Sequence, residues 1–97
     1  GPLLDFVNVK NDTLEVHFKY GEGLKTLDNK AVKDIEIAGE DKVFVKVSTS
    51  IKDNLLLVLS KEIKKPRYVR YGYSPYTESN LTNKNGLPAS TFSNILD

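Results

Sequence analysis

Apolar and polar side chains alternate with a period of two along much of the chain. In residues 13–20 the even-numbered positions are apolar or aromatic, and the positions between them are polar or charged. Residues 43–49 repeat this alternation, with valine at each odd-numbered position through Val47. Because successive side chains of a strand point to opposite faces of its sheet, both segments are predicted to be half-buried strands.

Other segments predict strands by different signals. Residues 55–59 form a continuous apolar run, which is expected for a strand covered on both faces. Residues 67–73 are rich in β-branched and aromatic residues and follow Pro66, which a sheet tolerates at the start of a strand. Residues 5–9 and 34–37 predict two more strands.

Turn-forming residues separate these segments. They are Asn11-Asp12, Gly21-Glu22-Gly23, Gly39-Glu40-Asp41 and Asp53-Asn54. Short strands at this spacing are typical of an all-β sandwich. We therefore predict an all-β fold, a small antiparallel β-sandwich of the Ig-like or jelly-roll-like kind.

The core is expected to consist of the apolar residues that are in phase within the predicted strands. These residues are Leu14, Val16, Phe18, Val43, Val45, Val47, Leu55, Leu57, Val58, Val69 and Tyr71. Tyr20 is expected on the same face as Leu14.

The strand pattern stops after residue 73. Residues 74–97 are rich in Ser, Asn, Thr and Pro, yet they also contain apolar residues that a solvated linker would not carry. We therefore predict one domain over residues 1–97, with strands in 1–73 and a long irregular C-terminal strap in 74–97. A strap of this length must pack on its own sandwich or dock onto a partner.

Three apolar residues of the strap are the expected anchors, Leu81, Leu87 and Phe92, and we expect all three to be buried against the sandwich. Gly86 permits a turn with positive φ, and Pro88 biases the residue before it towards an extended backbone.

Composition and charge narrow the classes of function. The 97 residues contain no Cys, which excludes disulfides and thiolate metal sites. The formal net charge is only +1, whereas nucleic-acid binders usually carry a much larger basic excess, so no nucleic-acid partner is expected. No apolar run approaches the ~18 residues of a membrane span. The chain starts without a basic and apolar leader, so we expect a mature or excised piece.

Little in the sequence indicates catalysis. His17 is the one histidine, and it falls on the polar face of a predicted strand. The serines lack a Gly-x-Ser-x-Gly setting, and Gly21-Glu22-Gly23 lacks the following helix of a phosphate-binding loop. We therefore predict no catalytic residue, no metal ligand and no cofactor. The clustered tyrosines Tyr68, Tyr73 and Tyr76 are candidate sugar contacts, because aromatic faces with polar tips suit both sugar stacking and interface burial.

Three short motifs near the C-terminus resemble the closing segment of sialate O-acetylesterases and their bacterial relatives, serine carbohydrate esterases of the SGNH-hydrolase type. The motifs are Val69-Arg70-Tyr71, Asn80-Leu81-Thr82-Asn83 and Gly86-Leu87-Pro88-Ala89-Ser90-Thr91-Phe92. Upstream, residues 35–41 (IEIAGED) are similar to a strand and turn of that family, and Gly1-Pro2 is similar to the Gly-Pro that ends its hydrolase domain. The chain departs from the family where Tyr73 replaces a frequent Trp and Thr91 a frequent Pro.

The resemblance implies that the chain is a non-catalytic C-terminal accessory domain. The family's nucleophilic Ser block and its Asp-x-x-His have no counterpart here, so the catalytic hydrolase domain is absent from this chain. The expected partner is that hydrolase domain, which would remove O-acetyl groups from sialic acid or related sugars, and the implied location is periplasmic or secreted. Two alternatives stay open, a carbohydrate-binding module with a tyrosine platform and an Ig-like spacer.

Overall fold

The computed structural model describes residues 1–73 and 79–95, and it is all-β in those ranges. The strands are β1 (Leu3–Lys10), β2 (Thr13–Lys19), β3 (Lys25–Thr26), β4 (Ile35–Ala38), β5 (Val45–Lys46), β6 (Ser48–Lys52), β7 (Leu55–Leu59), β8 (Tyr68–Tyr71), β9 (Leu81–Thr82) and β10 (Phe92–Ser93). The prediction of a small antiparallel β-sandwich is confirmed.

The strands form two four-stranded sheets and one short ribbon. The first sheet has the order β1-β2-β7-β6, the second has the order β10-β8-β4-β5, and β3 pairs with β9 in the ribbon. All pairs are antiparallel. Strands that are distant in sequence, such as β2 and β7, therefore become neighbours.

Two-residue turns close the hairpins of the first sheet where the sequence predicts them. Lys52 pairs with Leu55 across Asp53 and Asn54, and both turn residues have positive φ (52° and 64°). Such dihedrals match the right-handed twist of the strands, and Asp and Asn tolerate them better than most residues. In β1 an irregularity between Leu4 and Phe6 shifts the register against β2.

One hydrophobic cluster lies between the sheets and the ribbon. Its buried members are Leu14, Val16, Leu24, Val32, Ile35, Ile37, Leu56, Val58, Val69, Tyr71, Leu81 and Phe92. Phe18 and Val47 are half-buried and pack against this cluster. The prediction is therefore confirmed for the inward positions of β2 and β8 and for Val58.

The prediction is wrong in the segment 43–49. The chain leaves the second sheet after β5 and enters the first at β6, so no single strand spans these residues. Val43 precedes β5 and is 60% exposed, and Val45 is only half-buried. A strand that crosses from one sheet to the other changes which side chains face the core, and alternation along the sequence does not reveal the crossing.

Two further core assignments are corrected. In β7 the buried residues are Leu56 and Val58, whereas Leu55 and Leu57 are half-buried on the opposite face. The run 55–59 is thus a one-sided strand and not a strand covered on both faces. Tyr20 lies beyond the end of β2 with a positive φ of 61° and is 72% exposed, because the chain turns there.

Candidate functional site

The C-terminal strap packs on the sandwich through β9 and β10. Lys25 pairs with Thr82 and Thr26 with Leu81 in the ribbon, while Phe92 pairs with Tyr71 at the edge of the second sheet. Leu81 and Phe92 are both buried. These two residues act as anchors of the strap, as predicted.

Tyr71 joins the strap to the sheet by its ring and by its hydroxyl. The ring stacks on Phe92 with a centroid separation of 5.2 Å. The hydroxyl oxygen accepts a hydrogen bond of 2.9 Å from the backbone N–H of Leu81. Burial raises the pKa of the Tyr71 phenol, so the group stays neutral over the ordinary pH range.

Tyr71→Phe is expected to lower the free energy of unfolding by about 1–2 kcal/mol, because a buried N–H loses its acceptor while the ring contacts stay. Urea denaturation checks this change. Tyr68→Phe removes the hydroxyl of a half-buried tyrosine on the same strand and should change stability little. Equal losses in the two variants would contradict the assigned role of the Tyr71 hydroxyl.

Asn80 fastens the segment that follows β3. Its buried amide donates to Asp28 Oδ1 (3.0 Å) and to the Ala31 carbonyl (3.0 Å), and its Oδ1 accepts from the Lys33 N–H (2.8 Å). Its own carbonyl accepts from the Leu27 N–H at 2.9 Å. One side chain thereby satisfies polar groups of a loop that lacks regular pairing.

Asp28 completes this network. Its Oδ2 lies 2.9 Å from Lys33 Nζ. The hydrogen bonds from Lys33 and then from Asn80 hold the pKa of the Asp28 carboxyl well below its usual range. The sequence analysis did not identify Asp28 or Lys33. Asp28 lies about fifty residues from Asn80 in sequence, and nothing near Asp28 indicates that the two side chains are partners.

The lowered pKa of Asp28 predicts a loss of stability in acid. A carboxyl whose folded pKa is depressed stabilises the protein above the pKa of the unfolded chain, and this contribution is lost as the pH falls below about 4. Asp28→Asn should therefore flatten the dependence of stability on pH between neutral and strongly acid conditions. Asp5 is an exposed carboxylate, so Asp5→Asn is the matched control. If the stability of Asp28→Asn fell in acid as steeply as that of the unmodified chain, the Asp28 network would not contribute to the pH dependence of stability.

Asn83 organises the turn of the Gly-Leu-Pro motif. Its Oδ1 accepts hydrogen bonds from the N–H groups of Asn85 (3.0 Å) and Leu87 (3.2 Å), while its Nδ2 donates to the Tyr20 carbonyl. Gly86 has a φ of 74°, as predicted from the need for a turn. A Cβ at Gly86 would meet no atom within 4 Å, so the backbone angle alone favours glycine there.

The prediction that Leu87 is buried against the sandwich is wrong. Its side chain is 48% exposed, because the turn held by Asn83 directs it away from the core. Pro88 is also exposed and forms an isolated bridge with Thr82. The strap is thus held by Leu81, Phe92 and the asparagines rather than by Leu87.

The first two residues of the chain lie against the strap. Pro2 is fully buried, and its carbonyl accepts a hydrogen bond of 3.2 Å from the Ser90 N–H. A Cβ at Gly1 would overlap the Pro88 carbonyl oxygen, so only glycine fits this approach.

Asn94 holds the end of the strap in a way that the sequence analysis missed. Its Oδ1 accepts from the Val69 N–H at 2.7 Å and its Nδ2 donates to the Arg67 carbonyl at 2.9 Å. Asparagine in an irregular segment often satisfies backbone groups, and this preference is the signal that could have identified it.

The structure describes two of the three candidate sugar-contact tyrosines, Tyr68 and Tyr73. Tyr68 is half-buried at the start of β8, with Lys42 Nζ 5.7 Å from its ring centroid. Tyr73 lies past the bend at Gly72 and is 59% exposed. Tyr76 lies outside the described residues. No ring contact joins Tyr68 to Tyr73 within residues 1–73 and 79–95.

Arg70 of the Val-Arg-Tyr motif is paired on the outer face of the second sheet. Its guanidinium donates two hydrogen bonds to Glu36 Oε1 (3.0 and 2.8 Å). The same group lies 4.0 Å from the centroid of the Phe44 ring. Arg70 therefore stabilises the sheet surface through an ion pair and a cation–π contact.

His17 lies on the outer face of the first sheet. Its ring stacks on Phe6 with a centroid separation of 4.1 Å, and its Nε2 has no hydrogen-bond partner. Among the residues that the structure describes, no group of three or more acidic or histidine side chains could hold a metal ion. Over the same residues, the structure contains no helix of the length and apolarity that a membrane span requires.

No protein-family model and no curated protein matches the chain. A solved structure does, that of a carbohydrate acetylesterase from Xanthomonas citri. The TM-score is 0.89 and the sequence identity is 28%, over 97% of this chain and 22% of that chain. The chain is therefore similar, over nearly all its length, to a domain-sized part of a much longer carbohydrate esterase.

Proposed function

We propose that the chain is a non-catalytic accessory β-sandwich that packs on and stabilises the hydrolase domain of a carbohydrate esterase. The observation that carries this proposal is the match to a carbohydrate acetylesterase, in which 97% of this chain corresponds to only 22% of that protein. A segment of that size leaves most of the esterase, and room for its catalytic centre, outside the matching region.

The contacts of the strap support an accessory role. The family-like motifs supply Asn80, Leu81, Asn83 and Phe92, and these residues fasten backbone and core as described above. Such residues fold a domain and do not transfer a group. The motif residues thus have a structural use that is independent of catalysis.

We further propose a substrate class for the parent enzyme, O-acetyl groups on sialic acid or related sugars, and a periplasmic or secreted location. This finer proposal rests on the resemblance of residues 69–92 to the closing segment of sialate O-acetylesterases. Acetate release by a full-length polypeptide carrying this chain tests it. Release from acetylated xylo-oligosaccharides but not from O-acetylated sialic acid would contradict the substrate class.

A domain replacement tests the accessory role. A chimera is made in which this chain replaces the matching segment of the Xanthomonas citri acetylesterase, and it is compared with the same enzyme lacking that segment. The truncated enzyme should unfold and lose acetylesterase activity at a lower temperature, and the chimera should recover both properties. A chimera with Leu56→Ala, which weakens the core of this domain without altering its surface, is the matched control and should recover less. Equal stability of the truncated and intact enzymes would refute the proposal.

The 97-residue chain alone is expected to release no acetate from p-nitrophenyl acetate above a heat-denatured control. His17 packs on Phe6, and its Nε2 has no hydrogen-bond partner, so this nitrogen is not placed to take a proton from a serine hydroxyl of the described residues. Turnover that His17→Ala abolishes would contradict this expectation.

A further inference from the structure

The two sheets present different faces to the outside of the sandwich. On the second sheet, the outward positions carry Glu36, Arg70 and Lys46, and the first two form the ion pair described above. A face with paired charges is stable in water without a cover. The first sheet has a different composition at its outward positions.

Register places a set of apolar side chains together on the outer face of the first sheet. Residues directly opposite each other in an antiparallel pair point to the same face, and the buried Val16 and Leu56 define the inner one. Their neighbours along β2 and β7 therefore point outward. The outer patch consists of Leu3, Phe6, His17, Leu55, Leu57 and Leu59, and the carboxylate of Glu15 lies on the same face opposite Leu57.

Phe6 is in this patch because of the irregularity in β1. Leu4 pairs with Phe18 on the inner face, and after the register shift Phe6 pairs with His17. A bulge of this kind redirects a side chain, and here it leaves a phenyl ring 51% exposed and stacked on an imidazole. Without the shift, strict alternation from Leu4 would turn Phe6 inward.

His17 Nε2 within the outer patch has no hydrogen-bond partner, whereas the neighbouring Glu15 is paired, and lysines lie at the ends of the patch. Glu15 accepts from Asn8 Nδ2 at 3.2 Å and lies 3.7 Å from Lys10 Nζ. Lys19 pairs with Leu3 and Lys52 with Leu55, so both exposed lysines point to this face. The patch therefore fits an apolar surface with carboxylates at its rim.

We propose that the outer patch of the first sheet is the surface on which the hydrolase domain of the same polypeptide docks. This inference rests on the proposed function. The matching esterase has most of its length outside the matched segment. A domain preceding Gly1 would also emerge next to β1, the edge strand that carries Leu3 and Phe6. A tethered domain at this position has a high effective concentration at the patch.

The apolar character argues for a protein occupant rather than for a sugar. Leucines at three successive outward positions of β7 offer no hydrogen bond to a hydroxyl group, whereas a protein surface can bury them. The outer patch extends from Leu3, near the start of the chain, to the central strand β7. This position suits a domain that is connected to the chain at Gly1.

Side-chain footprinting with hydroxyl radicals tests the docking surface in the chimera defined above. Oxidation of Phe6, His17 and Leu57 should be several-fold slower in the chimera than in the isolated 97-residue chain. Oxidation of Tyr73 and Val43, which are exposed elsewhere, should be unchanged. Phe6→Ser and Leu57→Ser should lower the unfolding temperature of the chimera more than that of the isolated chain. Val43→Ser is the matched control and should affect both equally.

The outcomes separate the surface from the function. A stabilised chimera with protection away from the outer patch would overturn the docking surface and leave the accessory role intact. A chimera with no stabilisation and no protection would overturn both. Protection of Phe6 that rises with the concentration of the isolated chain, together with dimers in sedimentation, would overturn the proposal in favour of a second copy.

Discussion

Leu56→Ala is expected to lower the free energy of unfolding by about 2–5 kcal/mol, the usual cost of deleting a fully buried leucine side chain. Leu56 is fully buried in β7 and opposes Val16 in the first sheet. A small domain has only about 5–15 kcal/mol of stability, so the midpoint of urea unfolding should fall sharply.

Leu57→Ala is the matched control for this experiment. Leu57 is the next residue of the same strand but is half-buried on the outer face, so its truncation should cost roughly 1–2 kcal/mol in the isolated chain. The alternative assignment, in which Leu57 faces the core, predicts the reverse order. A larger loss for Leu57→Ala than for Leu56→Ala would therefore contradict the register of β7.

Asn80→Ala is expected to cost about 2–3 kcal/mol, because it removes three side-chain hydrogen bonds at a buried position and leaves their partners without them. The loss should also release the segment between β3 and β4. Faster amide exchange of Lys33, whose N–H is donated to Asn80, would show this release directly.

Asn85→Ala shows whether the loss of stability is specific to the Asn80 network or follows from removing any asparagine of the strap. Asn85 is an exposed residue of the same strap, and its side chain should contribute little. The unfolding midpoints of the two variants are compared under the same conditions. A loss in Asn80→Ala no greater than in Asn85→Ala would rule out Asn80 as the fastener of the loop.

Much of the fold was predictable because local physics determines it. The alternation in residues 13–20 predicts β2, since Leu14 and Val16 must leave water together. Asp53-Asn54 predicts the β6–β7 turn, since these residue types tolerate positive φ. Leu81 and Phe92 were identifiable as anchors because isolated apolar residues in a polar segment need a place to be buried.

The remaining features depend on contacts between distant parts of the chain. Nothing near Val43 indicates that the strand changes sheets after β5. The exposure of Leu87 follows from hydrogen bonds to Asn83, which act on the backbone and leave no trace in hydropathy. The network of Asn80, Asp28 and Lys33 joins residues that only the folded ribbon brings together. Alternation along a sequence cannot reveal these pairings.

Residues 79–95 of the strap are an integral part of the sandwich despite their linker-like composition. The most direct test is amide hydrogen exchange of the isolated 97-residue chain at Leu81 and Ala89. The Leu81 N–H is donated to the Tyr71 hydroxyl and the Ala89 N–H to the Leu81 carbonyl. Both amides should exchange nearly as slowly as that of Val58 in the first sheet. Fast exchange at Leu81 and Ala89, with Val58 still protected, would contradict the claim and show that the strap orders only against a partner.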